Sequence, residues 1–182
     1  MVLSQQTYER LALEDPDGQW ELHGGRPQAK PAMTWEHNET MVLLGHFLMQ
    51  QLDRDVFRVR INAGRVRRSS LNVYIPDVMV IPMAYGEGLR NRPDTLEVFD
   101  SPLPLVVEVW SPSTGGYDVD AKLPEYQRRG DAEIWRIHPY DRTLTAWRRQ
   151  PDGAYEELMF REGIVRPTAL PHVAIDLDAL FD

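Results

Sequence analysis

The sequence predicts an α/β fold, a mixed β-sheet flanked by helices with an added C-terminal β-hairpin, in one domain spanning residues 1–182. Three stretches carry that reading. The apolar run 103–109 suits a strand covered on both faces. Residues 35–52 place Met41, Leu44, Leu48 and Leu52 at helical spacing behind Thr34, a residue able to cap. Residues 143–149 and 154–160 flank Gln-Pro-Asp-Gly at 150–153, the form of a hairpin, with Leu144 and Ala146 alternating against Thr145 and Trp147.

The remaining elements follow in order. Ser4 can cap a short helix with Tyr8, Leu11 and Ala12 on its apolar face, and residues 15–18 make a turn. Residues 20–26 read as a strand entering a glycine turn, with Glu21 mid-strand and Pro27 and Pro31 restricting the exit. His37 falls in the first turn of the 35–52 helix, where a solvent-facing or capping role is the ordinary one. Two or three strands are expected over 56–81, since Phe57, Val59, Ile61 and Ala63 alternate with Arg58, Arg60 and Asn62. Residues 73–81 form the next apolar strand. Pro76 cannot donate a ladder hydrogen bond, which puts Asp77 at an irregular point of it. The Gly- and Pro-rich stretch 82–102 is a loop with a helical turn near 93–98. A helix is expected from about 117 or 118 to Arg129, closed by Gly130 and blemished by Pro124. Residues 132–138 give a strand, and 173–181 a short terminal strand or helix.

Composition narrows the classes. At 182 residues, 42% hydrophobic and 26% charged, the chain can bury a sizeable core. It has no cysteine, which removes disulfide frameworks, thiolate nucleophiles and thiolate metal sites. No run approaches the roughly 20 apolar residues that a bilayer requires, so a soluble cytoplasmic protein without membrane contact is expected. A formal charge of −8 argues against non-specific nucleic-acid binding by the whole surface. A local basic surface is still open to it, because Arg58, Arg60, Arg65, Arg67 and Arg68 crowd together. Their bland reading is an edge strand protected by charge.

Glu108 sits near the end of an apolar strand, where an unpaired carboxylate is costly to desolvate. Its partner is a divalent ion shared with Asp77, Lys122 on the following helix, or an arginine. Asp77 and Glu108 each end an apolar stretch, and two hard oxygen ligands at one end of a sheet suit Mg²⁺ or Mn²⁺. Asp118, Lys122 and Tyr126 are spaced to share a helix face, from which Lys122 reaches the strand end. Taken singly, Asp77 is an ordinary turn residue and Lys122 an ordinary solvated charge. The serines lack a nucleophile elbow and the five histidines lack metalloprotease spacing.

The ordered set of these features resembles the Uma-type putative restriction endonuclease family, a branch of the PD-(D/E)xK nuclease superfamily, from Tyr8 to Phe181. It comprises Trp20-Glu21-Leu22, His37-Asn38, Ile75-Pro76-Asp77-Val78, the stretch 107–114 around Glu108, then Asp118, Lys122, Tyr126, Gly130 and Glu133-Ile134-Trp135. The resemblance implies a restriction-endonuclease-like fold and a bacterial, Mg²⁺- or Mn²⁺-dependent endonuclease acting on DNA. Asp77 and Glu108 would hold the metal, with Glu21 as an accessory acid. The superfamily places its lysine two residues after the glutamate, where this chain has Trp110, so Lys122 would take over that role.

The expected function is therefore hydrolysis of DNA phosphodiester bonds at a site of Asp77, Glu108, Lys122 and Glu21. The arginine strands 58–68 are expected to flank that pocket, and Lys122→Ala to remove activity with little effect on stability. The alternative is an inactive nuclease-fold domain that binds nucleic acid or protein or self-associates, which the net charge and Trp110 favour. A homodimer is open to such a protein, since nucleases cut two strands by pairing two sites, although no residue marks an interface.

Overall fold

The computed structural model describes residues 2–182, with positions 115, 118 and 119 described by their backbone alone. In chain order the elements begin with α1 (Gln5–Glu14), β1 (Trp20–His23), β2 (Arg26–Ala29), α2 (Trp35–Gln51), β3 (Phe57–Ile61), β4 (Arg65–Ser69), β5 (Asn72–Tyr74) and β6 (Val78–Pro82). They continue with β7 (Val98–Phe99), β8 (Leu105–Val109), α3 (Gly115–Tyr117), a π-helical turn (Asp118–Lys122), α4 (Leu123–Arg129) and β9 (Glu133–His138). β10 (Thr143–Arg149), β11 (Tyr155–Phe160), β12 (Ile164–Val165), β13 (Ile175–Asp176) and α5 (Leu177–Phe181) complete the chain.

The larger sheet runs β11-β10-β9-β8-β6-β3 and the smaller β2-β1-β5-β4-β7. Each is mixed, because β8 pairs in parallel with β9, and β4 with β7, among antiparallel neighbours. A parallel neighbour requires a crossover, and α3, the π turn and α4 supply the one between β8 and β9.

Alternation along the strands decides what covers each face of the larger sheet. Val78, Val80, Leu105 and Val107 point to one side and pack with Met41, Leu44 and Leu48 of α2. Met79, Ile81 and Val106 point to the other, with Tyr126 of α4 and Val66 and Tyr74 of the smaller sheet. Glu108 shares the parity of Val106, so it enters the second layer, between the sheets.

The predicted hairpin forms as β10 and β11, in register from Leu144↔Phe160 to Arg149↔Tyr155. β12 and β13 add a two-stranded piece near the C-terminus. The expected single strand 73–81 is instead divided at Pro76. β5 joins the smaller sheet and β6 the larger, because a residue without an N–H cannot extend either ladder. Asp77 stands at the step. Two further expectations shift. Residues 26–29 form a strand despite Pro27, whose edge position needs no donor, and the helical turn of the 82–102 stretch lies at Met83–Leu89, not near 93–98. No helix among the described residues is long and apolar enough to cross a membrane.

Candidate active site

Four separated segments meet where the two sheets adjoin. The β1–β2 hairpin brings the first two groups: its register pairs Trp20 with Ala29, and Lys30 N donates to Gln19 O at 3.2 Å. Glu21 and Lys30 therefore leave the same end of the hairpin. The step after Pro76 supplies Asp77, and β8 supplies Glu108. Continuing the register Val78↔Val107 by one pair sets Asp77 across from Glu108. The crossover then supplies Lys122 and Tyr126.

Pro124 governs how Lys122 is held. It occupies the first turn of α4, where its missing N–H is no loss, and the chain before it winds as a wider π turn. The helix expected from 117 thus runs without a break from 115 to 129, with Lys122 closing its π turn. Charge adds to that hold. The Lys122 ammonium lies 3.0 Å from Glu21 Oε1 and 3.3 Å from Glu108 Oε1, with the rings of Tyr74 and Tyr117 at 5.9 and 5.8 Å. Tyr126, one helical turn on, donates its hydroxyl to the same Glu108 oxygen, and Ile75 N donates to Glu21 Oε1 at 2.8 Å. The side chain of Asp118, expected on this helix face, lies outside the described residues.

Asp77 is the most enclosed of the three acids, 2% exposed. Its Oδ1 receives Lys30 Nζ at 2.7 Å; its Oδ2 receives the Val109 N–H at 2.7 Å and faces His37 Nε2 at 3.1 Å. Burial pushes the carboxyl upward. The Lys30 ammonium, the His37 contact and the nearby Lys122 charge outweigh that, and Asp77 is held well below the usual carboxylate range.

A cavity of about 260 Å³ opens onto this centre, lined by Glu21, Gln28, Ala29, Lys30, Pro31, Ser113, Thr114, Tyr117 and Lys122. The sequence-predicted residues thus fall in two adjoining clusters, Lys122 pairing with Glu21 and Glu108, and Asp77 pairing with Lys30 and His37. The Ile75 backbone bridges them, its N–H on Glu21 and its carbonyl on Lys30. His37 is buried against Asp77, not turned to solvent, because the α2 N-terminus ends over the strand tips. Trp110 has a packing role, stacked on His138 at 4.1 Å between ring centres with Tyr140 edge-on.

The arginines do not flank this cavity as expected. Arg60 pairs with Glu97 at 2.8 Å, Arg67 with Asp100 at 2.7 Å and Glu9 at 2.9 Å, and Arg65 donates to the Tyr8 hydroxyl. Arg58 and Arg60 instead line a separate cavity of about 300 Å³ with Arg90. The chain turns at Gly64 and sends its two arginine strands to different sheets.

Among the described residues no three histidine, aspartate or glutamate side chains gather into a ready-made cation cage. The donors still suit one class of ion. Mg²⁺ keeps several waters and takes only one or two carboxylates, with substrate phosphate completing its shell. Asp77 and Glu108 offer that set of hard oxygens.

The sequence profile of the family described as "Putative restriction endonuclease" (Uma2) matches residues 5–178. Among solved structures, the fold is similar to that of "a putative nuclease belonging to DUF820" from Anabaena variabilis ATCC 29413. The TM-score is 0.78 at 17% identity, covering 98% of this chain and 97% of that one. No curated protein matches the chain.

Proposed function

We propose that this chain, which belongs to the Uma2 family of "Putative restriction endonuclease" proteins, is an endonuclease that hydrolyses DNA phosphodiester bonds at the Asp77–Glu108–Lys122 centre. The observation that carries this reading is the Lys122 ammonium, bonded to Glu21 and Glu108 on the wall of a cavity behind which Asp77 lies. In this reading Asp77 and Glu108 hold Mg²⁺ or Mn²⁺. Such an ion, when bound, lowers the pKa of a water and offsets charge on the phosphate. Lys122 positions the attacking water and faces the phosphate oxygens. Glu21 and Tyr126 fix Lys122 and Glu108 from either side, while His37 and the Val109 N–H orient Asp77. Ser113 and Thr114 line the same cavity, their hydroxyls bonded to Ser111 Oγ.

The test is cleavage of single-stranded, double-stranded and branched DNA by purified protein with Mn²⁺ or Mg²⁺ and with chelator. Metal-dependent products that disappear in a folded Lys122→Met protein support the reading; no cleavage of any substrate overturns it. One observation favours the second reading, a non-cleaving binding module: both Asp77 oxygens already have partners within the protein. Retention of DNA without cleavage would select it. A homodimer belongs to the first reading, since two sites are needed to cut two strands together; light scattering with and without duplex tests it.

A further inference from the structure

Lys30 has no part in the mechanism just given, yet its ammonium is fully partnered. Its three N–H donors meet three acceptors: Asp77 Oδ1 at 2.7 Å, Asn62 Oδ1 at 2.8 Å and Ile75 O at 2.9 Å. The side chain is only 4% exposed. Asn62 is held in the left-handed region, φ 48°, and its amide is bonded to Gln19, itself left-handed at φ 42°. Asparagine enters that region readily, whereas for glutamine it is uncommon. Here two such residues brace an acceptor against Lys30.

Position matters as much as fastening. Lys30 lines the 260 Å³ cavity, whereas Asp77 does not. Asp77 Oδ2 is taken by Val109 and His37, so Oδ1 is the oxygen left for a cation, and Lys30 holds it. A hard dication about 2.0–2.1 Å from that oxygen and an ammonium 2.7 Å from it repel each other at close range with little water between them. Each occupancy therefore weakens the other.

We infer that Lys30 is a built-in counter-ion that a divalent metal must displace to reach Asp77, and that it thereby sets the ion affinity of this site. The inference rests on the reading of Asp77 as an ion ligand. With Lys30 in place the carboxylate is neutralised and stable without metal. Its long flexible stem borders open space, so the ammonium can swing into the cavity when the ion arrives. Apparent affinity is reduced by the fraction of molecules in which Lys30 stays on Asp77.

Calorimetric titration with Mn²⁺ tests this on the parent protein and on Lys30→Met. The variant is expected to bind Mn²⁺ about tenfold more tightly or better, because the competing state is gone. Its melting temperature should fall in chelator and recover with Mn²⁺. Should the variant not fold, the parent carries the test alone: lysine acylation read by mass spectrometry should find Lys30 protected in chelator and labelled at saturating Mn²⁺. Unchanged or weaker binding by a folded variant overturns the inference, as does a Lys30 that stays protected in Mn²⁺. Metal-dependent cleavage alongside such protection leaves the nuclease reading standing and this inference refuted. Absence of Mn²⁺ binding by both proteins refutes the two together.

Discussion

Glu108 and Glu133 lie on neighbouring strands, β8 and β9, and both are buried carboxylates. Glu133 meets donors that cannot move far. Trp135 Nε1 and Arg148 Nε take one oxygen at 2.6 and 3.1 Å, and the backbone and hydroxyl of Thr168 take the other. Glu108 meets a rigid phenol and a long, flexible ammonium beside a cavity. A buried charge is therefore not by itself a functional signal. Donors fixed by backbone and packed rings bind strands together; an ammonium on the wall of a cavity sets its charge where a ligand can meet it.

The contrast is tested most sharply by Glu108→Gln and Glu133→Gln. The first is expected to lower the cleavage rate by about a thousandfold, the scale of removing one charge aimed at a reacting group. The second is expected to cost about 1–3 kcal/mol of stability through an imperfectly satisfied network, with cleavage per folded molecule unchanged. A folded Glu133→Gln that has lost cleavage breaks the distinction.

Next comes Lys122→Met, assayed by cleavage and by thermal melting. Cleavage should drop by about a hundredfold or more. The small stability effect expected from sequence assumed a solvated lysine. At 2% exposure, between two carboxylates, its removal should instead cost about 3–5 kcal/mol, as when one partner of a buried pair is deleted.

Acid should act on the Asp77 cluster. Asp77 has a depressed pKa, so its contribution to stability is complete above its unfolded value near 3.8 and is lost as pH falls from there toward the lower folded value. The parent should lose stability steeply below about pH 4. Asp77→Asn should remove that part of the slope, measured by urea unfolding between pH 3 and 5. Last comes the pair Tyr126→Phe and Trp135→Phe. Each removes one donor to a buried carboxylate, worth about 1.5–3 kcal/mol, and Trp135→Phe also leaves a void where the fully buried indole stood. Only the first is expected to alter cleavage, by releasing Glu108.

The same contrast explains what could be read from sequence. Glu108 was legible because a charge inside an apolar strand stands out without any tertiary information. Asp77 was marked by the proline before it, and the hairpin of β10 and β11 by its turn residues and alternation. Lys30 gave no such signal. It lies among Gln28, Ala29 and Pro31, a stretch that reads as surface, and its burial arises only when the hairpin folds against the step at Pro76. His37 was hidden for a related reason. A first-turn histidine looks like a cap until α2 is placed with its N-terminus over the strand tips. The arginine strands misled because their partners Glu9, Glu97 and Asp100 are distant in sequence.

The π turn before Pro124 also has a meaning in terms of angle. A π turn is an α-helix with one residue too many in a turn. An α-helix advances about 100° per residue, so that extra residue rotates everything before it by nearly a third of a circle relative to α4. Shortening the segment by one residue, for instance by removing Ala121, would restore a regular winding and swing the preceding residues around the axis while Tyr126 stayed put. Length in this stretch therefore sets how the residues before Ala121 face relative to Lys122 and Tyr126, which stay together on the α4 side of the turn.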